Sequence, residues 1–351
     1  MGFATVIPGL LFLICATLGP ALTAALGFSC NSTASCHGLV GYKAPNETTL
    51  AAVQSLFGVP HLRSILGAND LLESTPANAT VRQGQIIRIP FDCSCSNGTG
   101  TSRKIPVYTV RSNDILSDIA TNVFSSLVTF LDIAAASNIT NPNIINVGQH
   151  LKIPLPCSCD PVDGEKVVHY AHLVASGSSV EEISRQFNVS ADALLRLNKL
   201  ASDSDLEADV AIDVPLKACS SMISNDSLDS SLLVSNGTYV FTANNCVKCS
   251  CSFANNMTLQ CQPSQISPSN GSVCPSMLCQ GTDLYIGNST ISSCNRTTCN
   301  YAGYKGQAIL TSLANESTCP AGGAGKINPG AFSWNFLVTL LLMVLFLLRV
   351  Q

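Results

Sequence analysis

The alternation of apolar and polar positions repeats itself three times in the first two-thirds of the chain. Leu50, Val53, Leu56 and Phe57 fall at the spacing of one helical face, and so do Leu116, Ile119 and Val123, and Val180, Ile183 and Phe187. The first positions of these sets are 66 and 64 residues apart, and Val53, Ile119 and Ile183 keep the same offsets. A second helical stretch follows in each, at Ile65–Asn69, Ile133–Asn138 and Leu194–Asn198, closing on an asparagine suited to the left-handed turn at a helix end. Each repeat opens on a short strand-like stretch and closes on an apolar strand ending in proline, at Pro90, Pro154 and Pro215. The order is strand, helix, helix, strand in segments 42–90, 108–154 and 172–215: an α+β fold built from repeated βααβ units.

Composition then sets the compartment. Of 351 residues 46% are hydrophobic and 11% charged, with a net charge of −4, which excludes a disordered chain and argues against a nucleic-acid binder. An apolar run over Val6–Leu26 followed by small residues reads as a secretory signal in residues 1–27, with an N-terminal signal anchor as the alternative. Small residues around Gly323, a short spacer and the apolar Phe336–Leu348 form the pattern for replacement by a GPI anchor at Gly323, with 324–351 as the propeptide. A single membrane span is the alternative. Thirteen Asn-x-Ser/Thr sequons fit an extracellular glycoprotein: Asn31, Asn46, Asn78, Asn97, Asn138, Asn188, Asn225, Asn236, Asn256, Asn270, Asn288, Asn295 and Asn315. Asn138 is the exception to expected use, because a helix end claims it.

There are 17 cysteines, an odd number that becomes even once Cys15 leaves with the signal. Cys30 and Cys36 lie in an N-terminal segment, 28–41. Together with Cys93, Cys95, Cys157 and Cys159 they surround the repeats, and fifteen pairings are open to six cysteines. The other ten lie in 219–319. Cys246-x-x-Cys249-x-Cys251 there has a metal-like spacing, but an oxidising compartment and the absence of histidine after His172 favour five disulfides in a small, β-rich Cys-rich domain, with no metal and no cofactor.

Tyr108-Thr109-Val110, Asp114-x-Leu116-x-x-Ile119, Asn138 and Val147-Gly148-Gln149-x-Leu151-x-Ile153-Pro154 resemble a LysM domain. Three such copies separated by Cys93-Ser94-Cys95 and Cys157-Ser158-Cys159 resemble the ectodomains of plant LysM receptors, and the anchor-type tail is similar to that of the GPI-anchored LysM proteins of the chitin elicitor-binding type. The resemblance implies the pairs Cys30–Cys95, Cys36–Cys159 and Cys93–Cys157. It also implies a cell-surface pattern-recognition protein on the extracellular face of the plasma membrane. Such a protein would bind chitin oligosaccharides and act with a LysM receptor-like kinase as transmembrane co-receptor, or as a ligand-bridged homodimer, in innate immune signalling. Peptidoglycan, a lipochitooligosaccharide, or a structural wall role without an elicitor ligand are the alternatives.

The same resemblance places a sugar groove in the second copy, between Asn113, Asp114, Ile115 and Leu116 on one wall and Asn143, Ile144, Ile145, Asn146, Val147 and Gly148 on the other. Asp114 also suits a helix N-cap and Asn113 a turn. The third copy departs from the pattern at Asp209 and His172, and the first at Thr48. Catalysis is not expected. Between Ser220 and Gly325 the acids are Asp226, Asp229, Asp283 and Glu316, no nucleophile arrangement is visible, and His169 and His172 read as structural or solvent-facing. A neutral N-acetylated sugar, by contrast, needs hydrogen-bonding amides and an apolar wall rather than charge.

Overall fold

The computed structural model describes residues 28–31, 35–268, 271 and 273–319. The signal segment 1–27, the sequon Asn270, Gly323 and the propeptide 324–351 lie outside the described residues.

Each of the three repeats carries the expected order of elements. The first runs through strand Ser35–Lys43, helices Leu50–Phe57 and Leu62–Ala68, and strand Ile86–Ser96. The second has strand Val107–Thr109, a short helix Leu116–Asp118 continued by a π turn at Ile119–Val123, helix Phe130–Ala136 and strand His150–Lys152. The third has strand Val167–Leu173, helices Val180–Phe187 and Ala191–Leu197, and strand Ala211–Lys217. Most positions of the apolar faces read from the periodicity are core: Leu50, Val53 and Phe57 in the first, Leu116 and Ile119 in the second, Val180 and Ile183 in the third, with Leu56, Val123 and Phe187 partly buried against them.

The segments between copies, expected as short linkers, are themselves sheet. Ile86–Ser96 continues past Pro90, pairs with Thr99–Ser102, and that strand pairs with both Phe28–Ser29 and Pro156–Cys157. The first and third copies join this sheet directly, Tyr170 against Leu39 and Ala171 against Val40 in parallel. The second copy keeps its two-stranded ladder to itself, Val107–Lys152 to Thr109–His150. The disulfides Cys30–Cys95, Cys36–Cys159 and Cys93–Cys157 cross the shared sheet and its flanks.

The asparagine at the end of the second helix does something other than a left-handed turn in two copies. Asn69 has φ −113° and Asn198 φ −94°. Asn69 Nδ2 donates to the carbonyls of Ile65 and Arg88 (2.7 and 2.8 Å) while its Oδ1 accepts from Arg88 N. Asn198 repeats this against Leu194 and Asp213. The side chain thus stands in for a strand partner and fastens the helix to the closing strand. In the second copy Ser137 takes the role, accepting from Lys152 N at 2.9 Å, and Asn138 is the next residue, with φ 55°. Asn138 contributes a backbone turn, and its side chain is exposed.

The third copy buries two histidines. His169 Nδ1 lies 2.8 Å from the Asp213 carboxylate and its Nε2 2.8 Å from the Asp160 carbonyl, an acceptor only, so both nitrogens carry protons. Burial alone would lower the His169 pKa, but the hydrogen bond and charge of Asp213 raise it overall. His172 packs on Tyr170 and Phe187, and burial lowers its pKa to about 4. Both are structural, and neither faces solvent.

In 219–319 all ten cysteines pair: Cys219–Cys251, Cys246–Cys274, Cys249–Cys261, Cys279–Cys299 and Cys294–Cys319. The three cysteines with metal-like spacing therefore belong to three different bridges and offer no thiolate. Two three-stranded antiparallel sheets form, Thr238–Thr242 with Val247–Cys251 and Gln260–Pro263, and Ser289–Ser292 with Asn295–Lys305 and Ala308–Ser317. This region docks on the first copy. The Tyr239 hydroxyl donates to Leu71 O at 2.6 Å, and Lys248 pairs with Glu73 at 2.5 Å. A Cβ at Gly67 would stand 2.0 Å from Tyr239 O, so the helix must present glycine here.

Candidate functional site

The two loops expected to wall a groove can be compared across copies through hydrogen bonds common to all three. Gly84 N donates to Ala44 O, Gly148 N to Val110 O and Asp209 N to Val174 O, at 2.7 to 2.9 Å. Position 84 therefore corresponds to 148 and 209. The third copy meets the same turn with Asp209 at φ 59°, where Gly148 has φ 83°.

Above this base the copies diverge. In the first, the walls are zipped together: Thr48 pairs with Val81 and Thr49 with Thr80, and Leu50 N and Ala51 N donate to Ala79 O and Ala77 O. In the third, the Asp203 carboxylate reaches across to Val180 N at 2.5 Å. In the second, among the described residues, no hydrogen bond joins 111–116 to 143–147. The second groove is the open one.

Its lining also differs. Thr49 and Ser179 cap their helices, accepting from Ala52 N and Glu182 N, but the same position in the second copy is Ile115, which cannot. Giving up a cap costs about 1 kcal/mol. Ile115 is 54% exposed, and across the groove Ile144 and Val147 are 63% and 68% exposed. The matching residues are Thr80 and Gln83 in the first copy, Asp205 and Ala208 in the third. Ile145 turns inward and packs on the core, as do Val81 and Leu206 at its position.

The remaining expected residues separate into groove and support. Asn113 is exposed at φ 69°, making the turn, and Asn143, Asn146 and Gly148 are exposed on the opposite loop. Asp114 does not cap the helix. Its Oδ2 accepts from Arg111 N at 2.6 Å and from the Tyr108 hydroxyl at 2.9 Å, which closes the loop on itself. Burial, followed by that carboxylate, raises the Tyr108 pKa and keeps the hydroxyl a donor. Leu116 is a correction: its side chain is 2% exposed and belongs to the core, so it offers a sugar nothing. Gln149 was missed; its Oε1 accepts from Asn146 N at 3.0 Å and shapes the second wall, as Gln85 does for Arg82. That repeat of Gln85 and Gln149 one residue after the glycine was the available signal.

A LysM domain signature matches residues 108–154 and 172–215. The chain is 48% identical to LysM domain-containing GPI-anchored protein 2 of Arabidopsis thaliana, over 90% of this chain and 89% of that one. It belongs to the LysM domain-containing GPI-anchored proteins. Members of this family are held by a lipid anchor at the extracellular face of the plasma membrane, and among the described residues no helix of this one is long and apolar enough to cross a membrane. The chitin elicitor-binding protein of Oryza sativa subsp. japonica is 39% identical over 92% of both chains. The crystal structure of a receptor-like kinase ectodomain shares 21% identity over 53% of this chain and 94% of its own, with a TM-score of 0.45.

Eleven sequon asparagines are exposed, including Asn31, Asn46, Asn78, Asn97, Asn138, Asn188, Asn225, Asn256, Asn288, Asn295 and Asn315. Asn236 is half-buried, its Oδ1 accepting from Phe253 N.

Proposed function

We propose that this LysM protein is a non-enzymatic receptor for chitin oligosaccharides, that segment 42–90 is a third LysM module, and that the second module carries the ligand. The observation that carries the reading is the open second groove with Ile115, Ile144 and Val147 turned outward. N-acetylglucosamine presents an amide and a methyl. Backbone groups and the exposed Asn113, Asn143 and Asn146 suit the amide, and the apolar side chains suit the methyl. Neither demands charge, and the groove has no basic side chain but Arg111, whose guanidinium lies 5.8 Å from the Tyr108 ring.

The buried His169–Asp213 pair lends no support to catalysis, since the Asp160 carbonyl occupies the second imidazole nitrogen and leaves no free base. A LysM receptor-like kinase as transmembrane co-receptor, and a ligand long enough to bridge two copies of the chain, complete the reading. The relatedness to the rice chitin elicitor-binding protein supports it.

Calorimetric titration of the glycosylated ectodomain with a chitin octamer tests it. Saturable binding that strengthens with oligomer length is expected. No heat of binding, or equal weak binding at every length, would leave a structural role instead.

A further inference from the structure

Beyond the groove, a cleft of roughly 460 Å³ opens where the second copy meets the third. Its walls include Ser117 and Thr121 from the second copy's first helix, Phe130 and Asp132 from the next, Pro154, and Val210 from the third copy's loop.

Two features of the second copy build it. From the start of the first helix to the residue that fastens the second, this copy spans 22 residues (Leu116 to Ser137). The first spans 20 (Leu50 to Asn69) and the third 19 (Val180 to Asn198). The extra length is absorbed by the π turn at Ile119–Val123 and by two consecutive left-handed residues, Ser125 and Ser126, with φ 54° and 58°. The other copies end the same helix on one left-handed residue, Gly58 or Asn188. Such π turns tend to sit at functional positions.

The second feature is Asp132, only 8% exposed. Its Oδ2 takes the Thr129 amide and hydroxyl, but its Oδ1 has no hydrogen-bond partner. A buried carboxylate oxygen without a donor is costly unless something else supplies one.

The chemistry of the walls narrows the class of ligand that the cleft could take. The cleft has two carboxylates, Asp132 and Asp209, hydroxyls on Ser117, Thr121, Ser126 and Thr129, and apolar faces on Phe130, Pro154 and Val210. It has no lysine, arginine or histidine. That excludes an anionic ligand and fits a neutral, hydroxyl-rich one with an apolar ring face. The size suits a small ligand rather than a protein segment. Ser117 lies two positions after the groove residue Ile115 in the chain, so the cleft begins close to where the groove's first wall ends.

We propose that this cleft is a second saccharide site, which takes the continuation of a chitin chain held in the second copy's groove. The inference rests on the groove reading. The groove holds a short oligomer alone, and a long one engages groove and cleft together, so chain length converts into affinity through effective concentration.

The test is calorimetry of the glycosylated ectodomain with a chitin trimer and a chitin octamer, on two variants. In the cleft variant, Phe130→Ser with Val210→Ser, both residues are partly exposed and outside the groove. Trimer affinity should stay at the wild-type value and octamer affinity fall by at least about tenfold. Octamer binding unchanged in this variant, with trimer binding also unchanged, overturns the cleft and leaves the groove intact. In the groove variant, Ile144→Asp with Val147→Asp, trimer binding should vanish. If it survives, the groove reading itself is wrong.

Discussion

The first and second copies share their register, their core positions and the hydrogen bonds at the base of the groove, yet one is sealed and the other open. Thr48–Thr49 and Thr80–Val81 form a small ladder across the first groove, while in the second, among the described residues, no hydrogen bond joins 111–116 to 143–147, and Ile115 and Ile144 are exposed. The first copy satisfies its polar groups internally and caps its helix with Thr49. The second leaves an uncapped helix and an exposed apolar lining. The third lies between, its groove bridged by Asp203 and its core holding a buried ion pair. The first and third copies share one sheet, and the second, with the open groove, keeps its ladder outside it. Consistency among the residues of one copy is what marks scaffold, and local inconsistency is what marks a site.

Four changes break or sharpen that contrast. The largest effect on binding is expected from Ile144→Asp with Val147→Asp. Chitin octamer affinity should drop by at least about 100-fold in calorimetry, with a far-UV spectrum and melting curve like wild type. The matched pair Thr80→Asp with Gln83→Asp in the first copy should leave affinity unchanged.

Next comes Asp213→Leu in the third copy, which strands a charged imidazole in the core. A loss of roughly 3–5 kcal/mol is expected in denaturant titrations with disulfides intact. Because the His169 pKa is raised in the fold, the pair's contribution is complete below the unfolded value near 6.5 and is lost as pH climbs through the raised one.

His172 has the opposite sign. Its pKa is lowered to about 4, so the folded protein resists a proton that the unfolded chain accepts, and stability falls as pH drops from about 6.5 toward 4. His172→Tyr restores the residue found at Tyr42 and Tyr108. It should raise stability at pH 5 by about 2 kcal/mol relative to its effect at pH 7.5, read from melts at the two pH values.

The smallest effect is expected from Ile115→Thr, which gives the second copy the cap of the first. It should stabilise the fold by about 1 kcal/mol while weakening octamer binding several-fold. A gain in both would remove the reason for an isoleucine at that position.

Much of this was legible in the chain. Leu50, Leu116 and Val180 marked the helices because a buried face repeats at helical spacing, and Pro90, Pro154 and Pro215 marked the closing strands. The chain placed both Ile144 and Ile145 on the groove wall, and only the fold shows that Ile145 packs on the core while Ile144 is exposed. Other features depend on contacts between segments far apart. A two-residue ladder such as Thr48–Thr49 has no periodicity to read. The bond between Tyr108 and Asp114 makes an apparent cap into a loop brace. The asparagines looked like one repeated feature, but Ser137 is the counterpart of Asn69 and Asn198, and Asn138 sits one place beyond. The parallel pairing of Tyr170 with Leu39 joins strands 131 residues apart, and no local pattern announces it.

Hydrogen exchange on the ectodomain with and without a chitin trimer tests most directly whether the second copy alone holds the sugar. Protection is expected in 111–116 and 143–148, with none in 45–49 and 79–83 or in 175–179 and 204–208. Protection of the first or third copy's loops, with the second unchanged, would contradict it.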